Sequence, residues 1–196
     1  METPKQNPEF EWIAASRQGD SQAFGKLVEK YQREVYGLLF RLSGNDDMAE
    51  DIAQDTFVTV WEKLSSFQER GPFRAWLFRI ALNKLRSFWR RKKILSWLSL
   101  DHLKEDGQQS LEETLADPFR DSDPANSMED PHLQKQINEA LRLLPSRQRE
   151  VIVLRAQDME IHEIASILGV AEGTIKAHLF EAKKKLQQQL QSLLSS

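Results

Sequence analysis

The strongest constraint on this chain's fold is a helical periodicity that runs, stops for about thirty residues and resumes. Between residues 10 and 95, apolar side chains recur at spacings of three and four, the repeat of one face of an α-helix. In 23–42, Phe24, Leu27, Val28, Tyr31, Val35, Leu38, Leu39 and Leu42 form one stripe, which Ser43-Gly44-Asn45 ends. A second stripe, Ala49, Ile52, Ala53, Phe57, Val60, Trp61 and Leu64, predicts a helix capped by Asp46 or Asp47 and ending near Leu64. Its early acids, Asp46, Asp47, Glu50 and Asp51, suit the positive end of the helix dipole. The loop SSFQERG then leads to Pro72, a favourable first helical residue, and to a third helix through FRAWLFRIALNKLRSFWRRKK.

The pattern resumes after Pro131. Leu133, Ile137, Ala140, Leu141 and Leu144 line a helix that stops before Pro145, and Ser146 is placed to cap the next, which carries Val151, Ile152 and Leu154. Glu160–Leu168, the turn Gly169-Val170-Ala171 and a helix from Glu172 to Leu190 follow. The apolar spacing of Ile161, Ile164, Ala165, Leu168, Val170, Ile175, Leu179 and Ala182 around that glycine turn is that of a helix-turn-helix. No alternating strand pattern occurs. The expected fold is therefore all-α: two small helical domains, 10–95 and 132–194, the second containing the helix-turn-helix, joined by a flexible acidic linker over 96–131. The 31 aperiodic residues from Asp101 to Pro131, read as coil, span roughly 30 Å on average and roughly 100 Å at full extension. They let the two domains occupy separated sites on one partner.

Composition matters here through its distribution. The net charge of −3 hides a stretch from Arg70 to Leu100 with nine basic residues and no acid. It is followed by ten acids against two bases from Asp101 to Pro131. Such segregation predicts a polyanion-binding face beside a solvated acidic tether. The absence of cysteine excludes disulfides, thiolate metal sites and a cysteine nucleophile, and His102, His132, His162 and His178 show no ligand spacing. No apolar run approaches the ~18 residues of a spanning helix, and METPKQNPEFEW lacks the layout of a signal peptide. The chain is expected in the cytoplasm, without membrane insertion.

Two segments carry chemistry. In the first, Phe67, Phe73, Trp76, Phe78, Phe88 and Trp89 are interleaved with cations, a combination that suits nucleic acid whose bases leave the stack. Phe73, Trp76 or Leu77, Ile80, Ala81 and Leu85 have core spacing, whereas Arg79, Asn83 and Arg86 lie about one turn apart on a polar face. The second is the acidic helix. Read as metal ligands of a nuclease, Glu50, Asp51, Asp55 and Glu62 need carboxylate–histidine partners on another helix, and no Glu-x-x-His pair occurs. An acidic helix beside a basic one better suits docking to a protein. Neither a phosphate-binding glycine loop nor a Ser-x-x-Lys or Gly-x-Ser-x-Gly motif is present, so no enzyme, metal or cofactor is expected.

AEDIAQDTFVTVWEKL and GPFRAWLFRIALNKLRSFWRR, then an acidic linker, then LLPSRQREVIVLR and EIASILGVAEGTIKAHLFEAKKKL, in this order, resemble a bacterial RNA polymerase sigma factor of the extracytoplasmic-function type. The resemblance covers residues 20–93 and 133–187. It implies a first domain that binds core RNA polymerase and recognises and opens the −10 promoter element, and a second that reads the −35 element. By this resemblance Asp51, Gln54, Asp55 and Phe57 grip the polymerase. Phe67, Gln68, Glu69 and Arg70, with Arg79 and Asn83, serve the −10 element; Arg86 joins them from its place on the same polar face, where the family often has an acid at this position or at Ser87. Glu172, Gly173, Thr174, Lys176, Ala177, His178 and Lys183 serve the −35 element. The chain departs from the family at His178, where arginine is usual, and at Glu181, where a basic residue is frequent. Promoter DNA and core polymerase are the implied partners, and whether an anti-sigma factor restrains the chain stays open. The alternative is a helix-turn-helix regulator that is not a polymerase subunit; it leaves the acidic and basic helices without a purpose.

Overall fold

The computed structural model describes residues 8–69, 71–101 and 131–194, and every regular element among them is helical. The first unit comprises α1 (Pro8–Arg17), α2 (Ser21–Ser43), α3 (Asp46–Lys63), a single 3-10 turn (Leu64–Ser66) and α4 (Phe73–Asp101). The second comprises α5 (Pro131–Arg142), α6 (Ser146–Arg155), α7 (Ile161–Leu168) and α8 (Glu172–Leu194).

Local signals decide the corners. Gly44 ends α2 at φ +64°, a left-handed conformation that glycine adopts without a Cβ penalty, and its N–H closes on the Phe40 carbonyl at 2.7 Å. Asn45, rather than Asp46 or Asp47, then caps α3: its side chain accepts the Met48 N–H at 2.8 Å. Asp46 instead accepts a hydrogen bond from the Tyr36 hydroxyl. Ser146 likewise does not cap α6; it is the first helical residue, preceded by Pro145, and no side chain bonds that terminus. α4 continues to Asp101, so the first residues assigned to the linker are helical; the rest of that assignment, residues 102–130, lies outside the described residues. α8 runs to Leu194, four residues past the sequence expectation.

Most positions of the periodic stripes become the core, although Trp61 and Val170, expected on them, are exposed. Leu27, Val35, Leu38 and Leu42 of α2 meet Ile52 and Val60 of α3 and Phe73, Leu77, Phe78, Ala81 and Leu85 of α4, all buried. Each large side chain so removed from water contributes about 1.5–3 kcal/mol. In the second unit Leu141, Leu144, Val151, Leu154, Ile164, Leu168, Ile175 and Leu179 do the same, while Ile137, expected on the buried stripe, is exposed. The units are not held apart: α2 packs against α5 and α6, and α4 against α7.

Candidate nucleic-acid and partner interfaces

α2 and α3 run antiparallel, with Phe24 edge-on to Trp61 (4.9 Å between centroids) at one end and Tyr36 bonded to Asp46 at the other. Along their seam lies a groove of about 590 Å³, walled by Val28, Gln32, Arg33 and Tyr36 from α2 and by Glu50, Ala53, Gln54 and Phe57 from α3. The four expected partner-binding residues divide across it. Gln54 and Phe57 form its wall, whereas Asp51 and Asp55 are exposed outside that wall. Gln54 donates to Glu50 at 3.4 Å, and Asp55 leans toward α4, where Lys84 stands 3.7 Å away. The α2 half of the groove escaped the sequence reading because Gln32 and Arg33 are unremarkable polar residues until α3 is laid beside them. Burial, with the hydrogen bond to Asp46 and its charge adding to it, pushes the Tyr36 hydroxyl well above its usual value, so it remains a neutral donor at the groove's edge.

The segment after α3 is held by a residue sequence reasoning missed. Arg17, at the end of α1, donates to the Leu64 carbonyl at 3.3 Å, to the Phe67 carbonyl, and to Glu69 at 2.9 Å, and its guanidinium lies over the Phe67 ring. Its only sequence signal is a cation at a helix C-terminus. Phe67, expected to touch DNA, is buried instead. Its ring meets Phe73 edge-on at 5.4 Å and Trp76 at 5.2 Å, because a loop this short needs an apolar anchor. Phe73 and Phe78 are buried as well, so the aromatics of α4 serve chiefly the core. Gln68, Arg79 and Asn83 are exposed, Glu69 is tied to Arg17, and Arg70 lies outside the described residues.

In the helix-turn-helix, Gly169 takes φ +68° and its N–H, with that of Val170, closes on the Ala165 carbonyl. Glu163 accepts the Glu160 N–H at 2.8 Å and fixes the start of α7. Ile175, Leu179 and Ala182 turn one face of α8 inward. Glu172, Gly173, Thr174, Lys176, Ala177 and Lys183 are exposed, and His178 is half-buried beside the core face. The outward face thus begins with short side chains, as close approach to a groove requires, and is flanked by cations.

Arg86 departs from expectation. Rather than standing free beside Arg79 and Asn83, its Nε and terminal nitrogen donate to the two carboxylate oxygens of Glu150 on α6, at 2.9 and 2.8 Å. Arg147 adds a third donor to Glu150 at 3.1 Å. Nearby, Arg74 bonds Glu34 at 2.6 Å and the Gln157 carbonyl at 2.8 Å, and the Gln157 amide donates to the Glu34 carbonyl. A cavity of about 570 Å³ separates the 66–72 loop, Trp76 and Arg79 from His162, Glu163, Ser166 and Ile167 of α7. Among the described residues no three histidines, aspartates or glutamates converge on one point, and no helix is long and apolar enough to cross a membrane.

Residues 27–94 match the family model of sigma-70 region 2, and residues 134–186 that of sigma-70 region 4. The chain is 33% identical over 182 residues to the ECF RNA polymerase sigma factor SigW of Bacillus subtilis, covering 92% of this chain and 96% of that protein. It is 29% identical to the ECF RNA polymerase sigma-E factor of Haemophilus influenzae, over 91% and 93% of the two chains. Among solved structures, it resembles CnrH in complex with the cytosolic domain of CnrY, with a TM-score of 0.70, 27% identity and coverage of 95% and 99%. It also resembles the sigma factor RpoE of Bartonella quintana in complex with the anti-sigma factor NepR, with a TM-score of 0.68, 29% identity and coverage of 86% and 96%.

Proposed function

Because the chain belongs to the extracytoplasmic-function sigma factors of bacterial RNA polymerase, we propose that it divides that family's work among the three surfaces described above. The protein binds core polymerase and directs promoter-specific initiation in the cytoplasm, and the nucleotidyl transfer itself belongs to the polymerase. The α2–α3 groove, with Gln54 and Phe57 on its wall and Asp51 and Asp55 on its rim, receives a basic helical element of the polymerase. Gln68, Glu69, Arg79 and Asn83 surround an unstacked base of the −10 element, in a loop whose shape Arg17 and Phe67 maintain. The exposed start of α8, from Glu172 through Lys176, Ala177 and His178 to Lys183, enters the major groove of the −35 element. An anti-sigma protein is a further partner of this reading, supported by the complex of the similar RpoE with NepR.

The observation that carries the reading is the presence in one chain, in family order, of an α2–α3 groove walled by Glu50, Gln54 and Phe57 and a helix-turn-helix with a short-residue start. A regulator that is not a polymerase subunit has use for the second but not for the first. The test is to reconstitute core polymerase with this chain and sequence the transcripts started in vitro. A shared pair of upstream elements, with no such starts from core polymerase alone, is expected. Transcripts without common elements, or failure to co-elute with core polymerase, overturn it.

A further inference from the structure

Four polar side chains keep their hydrogen-bonding capacity unspent and converge on one space. Gln68 of the loop after α3, Arg79 of α4, and His162 and Ser166 of α7 are exposed, and among the described residues none of their side chains makes a hydrogen bond or ion pair. They line the cavity of about 570 Å³ between the two units. That volume falls within the roughly 300–1,000 Å³ of small-molecule sites, which favour domain interfaces. In one corner the rings of Phe67 and Trp76 lie 5.2 Å apart, inclined at 42°, and Trp76 is only half-buried. An aromatic face beside a guanidinium suits a flat ring that carries an anion: the ring stacks on the indole, and the guanidinium meets a phosphate through parallel bonds. Opposite stands Glu163, which spends one carboxylate oxygen on the Glu160 N–H and keeps the other able to accept from a hydroxyl. The charge limits the anion, because one guanidinium facing one carboxylate suits a single phosphate and not a chain of them.

We propose that this cavity binds a free nucleoside monophosphate, with its base on Trp76, its phosphate on Arg79 and its sugar hydroxyls toward Glu163 and Ser166 of α7. Both units hold the ligand, which sets the site apart from the first domain's wall alone. Gln68 and Arg79 are also among the residues proposed to surround the unstacked −10 base, so the bound mononucleotide and single-stranded DNA exclude one another. The binding rests on the cavity; only that exclusion rests on the −10 assignment above.

Adenosine monophosphate is the probe, titrated calorimetrically into the full chain beside adenosine, which lacks the phosphate, and inorganic phosphate, which lacks the ring. One nucleotide should bind per chain, with each fragment weaker by about tenfold or more. Arg79→Gln should bring the nucleotide down to the level of adenosine, and His162→Ala with Ser166→Ala should weaken it severalfold. All three side chains are exposed, so thermal melts of the variants should match the parent. Phosphate binding as tightly as the nucleotide would mean a plain anion patch and overturn the site. No heat at millimolar nucleotide, or an affinity that either Arg79→Gln or the α7 pair leaves unmoved, overturns it equally. Saturating nucleotide should also release a short fluorescent single strand of random sequence from the free chain. If the nucleotide binds as described and releases none, the −10 assignment of this wall falls and the mononucleotide site stands.

Discussion

Replacing Asp51 and Asp55 together by alanine should separate binding from folding. Both carboxylates are exposed, and among the described residues the one ion pair lost is Asp55 with Lys84, at 3.7 Å with the aspartate side chain 66% exposed. A pair so open to water contributes about 1 kcal/mol or less, and alanine in place of aspartate returns about 0.5 kcal/mol of helix propensity per site. The two effects nearly cancel, so the melting temperature should stay within a few degrees of the parent. At an interface the arithmetic differs, because truncating one partner of a desolvated charge pair costs about 2–5 kcal/mol. At about 1.4 kcal/mol per tenfold, that is roughly 30-fold to several thousandfold in affinity. Fluorescence anisotropy of the labelled protein titrated with core polymerase measures it, with a thermal melt of each variant alongside. Lys84→Ala is the control: it releases Asp55 and should not weaken the complex. A double mutant that binds within about threefold of the parent, at an unchanged melting temperature, would refute the placement of the polymerase on this rim.

Three further outcomes are expected. Arg17→Ala removes the bonds to Leu64, Phe67 and Glu69 together; permanganate reactivity of the −10 element should fall while affinity for core polymerase holds, since no groove residue is touched. Lys176→Ala should weaken −35 binding by about 1–3 kcal/mol if its amine meets a base edge, or reduce the salt slope by about 1 if it meets phosphate, and a filter-binding salt series distinguishes the two. The hydroxyls of Tyr31 and Tyr36 are both raised, first by burial and then by hydrogen bonds to Glu9 and Asp46. The native state therefore holds these protons more firmly than the unfolded chain, whose tyrosines release them near pH 10. Stability from this source is complete below pH 10 and declines as pH rises above it. Tyr31→Phe with Tyr36→Phe should flatten that alkaline decline in urea melts.

What the sequence revealed and what it concealed follow a physical division. Apolar periodicity located the helical stretches, because burying one face is a local requirement written every three or four residues. The glycine turns at Gly44 and Gly169 were equally legible, since a left-handed corner excludes most other residues. Asn45 was passed over for its acidic neighbours because capping depends on which residue takes the extended conformation, and three adjacent polar residues share the propensity. The burial of Phe67 and the ion pair of Arg86 were hidden for a different reason. An aromatic beside cations reads the same whether its ring faces a base or Phe73, and an arginine on a polar face does not announce that its partner lies 64 residues ahead. Arg17 shows the converse: a single unpatterned cation that acquires its role only when the end of α1 meets the loop.

The corner at Gly44 and Asn45 also bears on how this chain tolerates changes of length. The cap fixes where α3 begins, and the buried row Ile52, Ala53, Thr56 and Val60 fixes which way it faces. Each helical residue advances the chain about 1.5 Å and turns it by about 100°. One residue inserted between Ala49 and Glu50 would therefore demand that either the cap or the buried row give way, and if the cap held, Gln54 and Phe57 would swing off the groove wall. Side chains along the rim can be exchanged one at a time, but an insertion or deletion anywhere in the first two turns of α3 resets the whole wall at once.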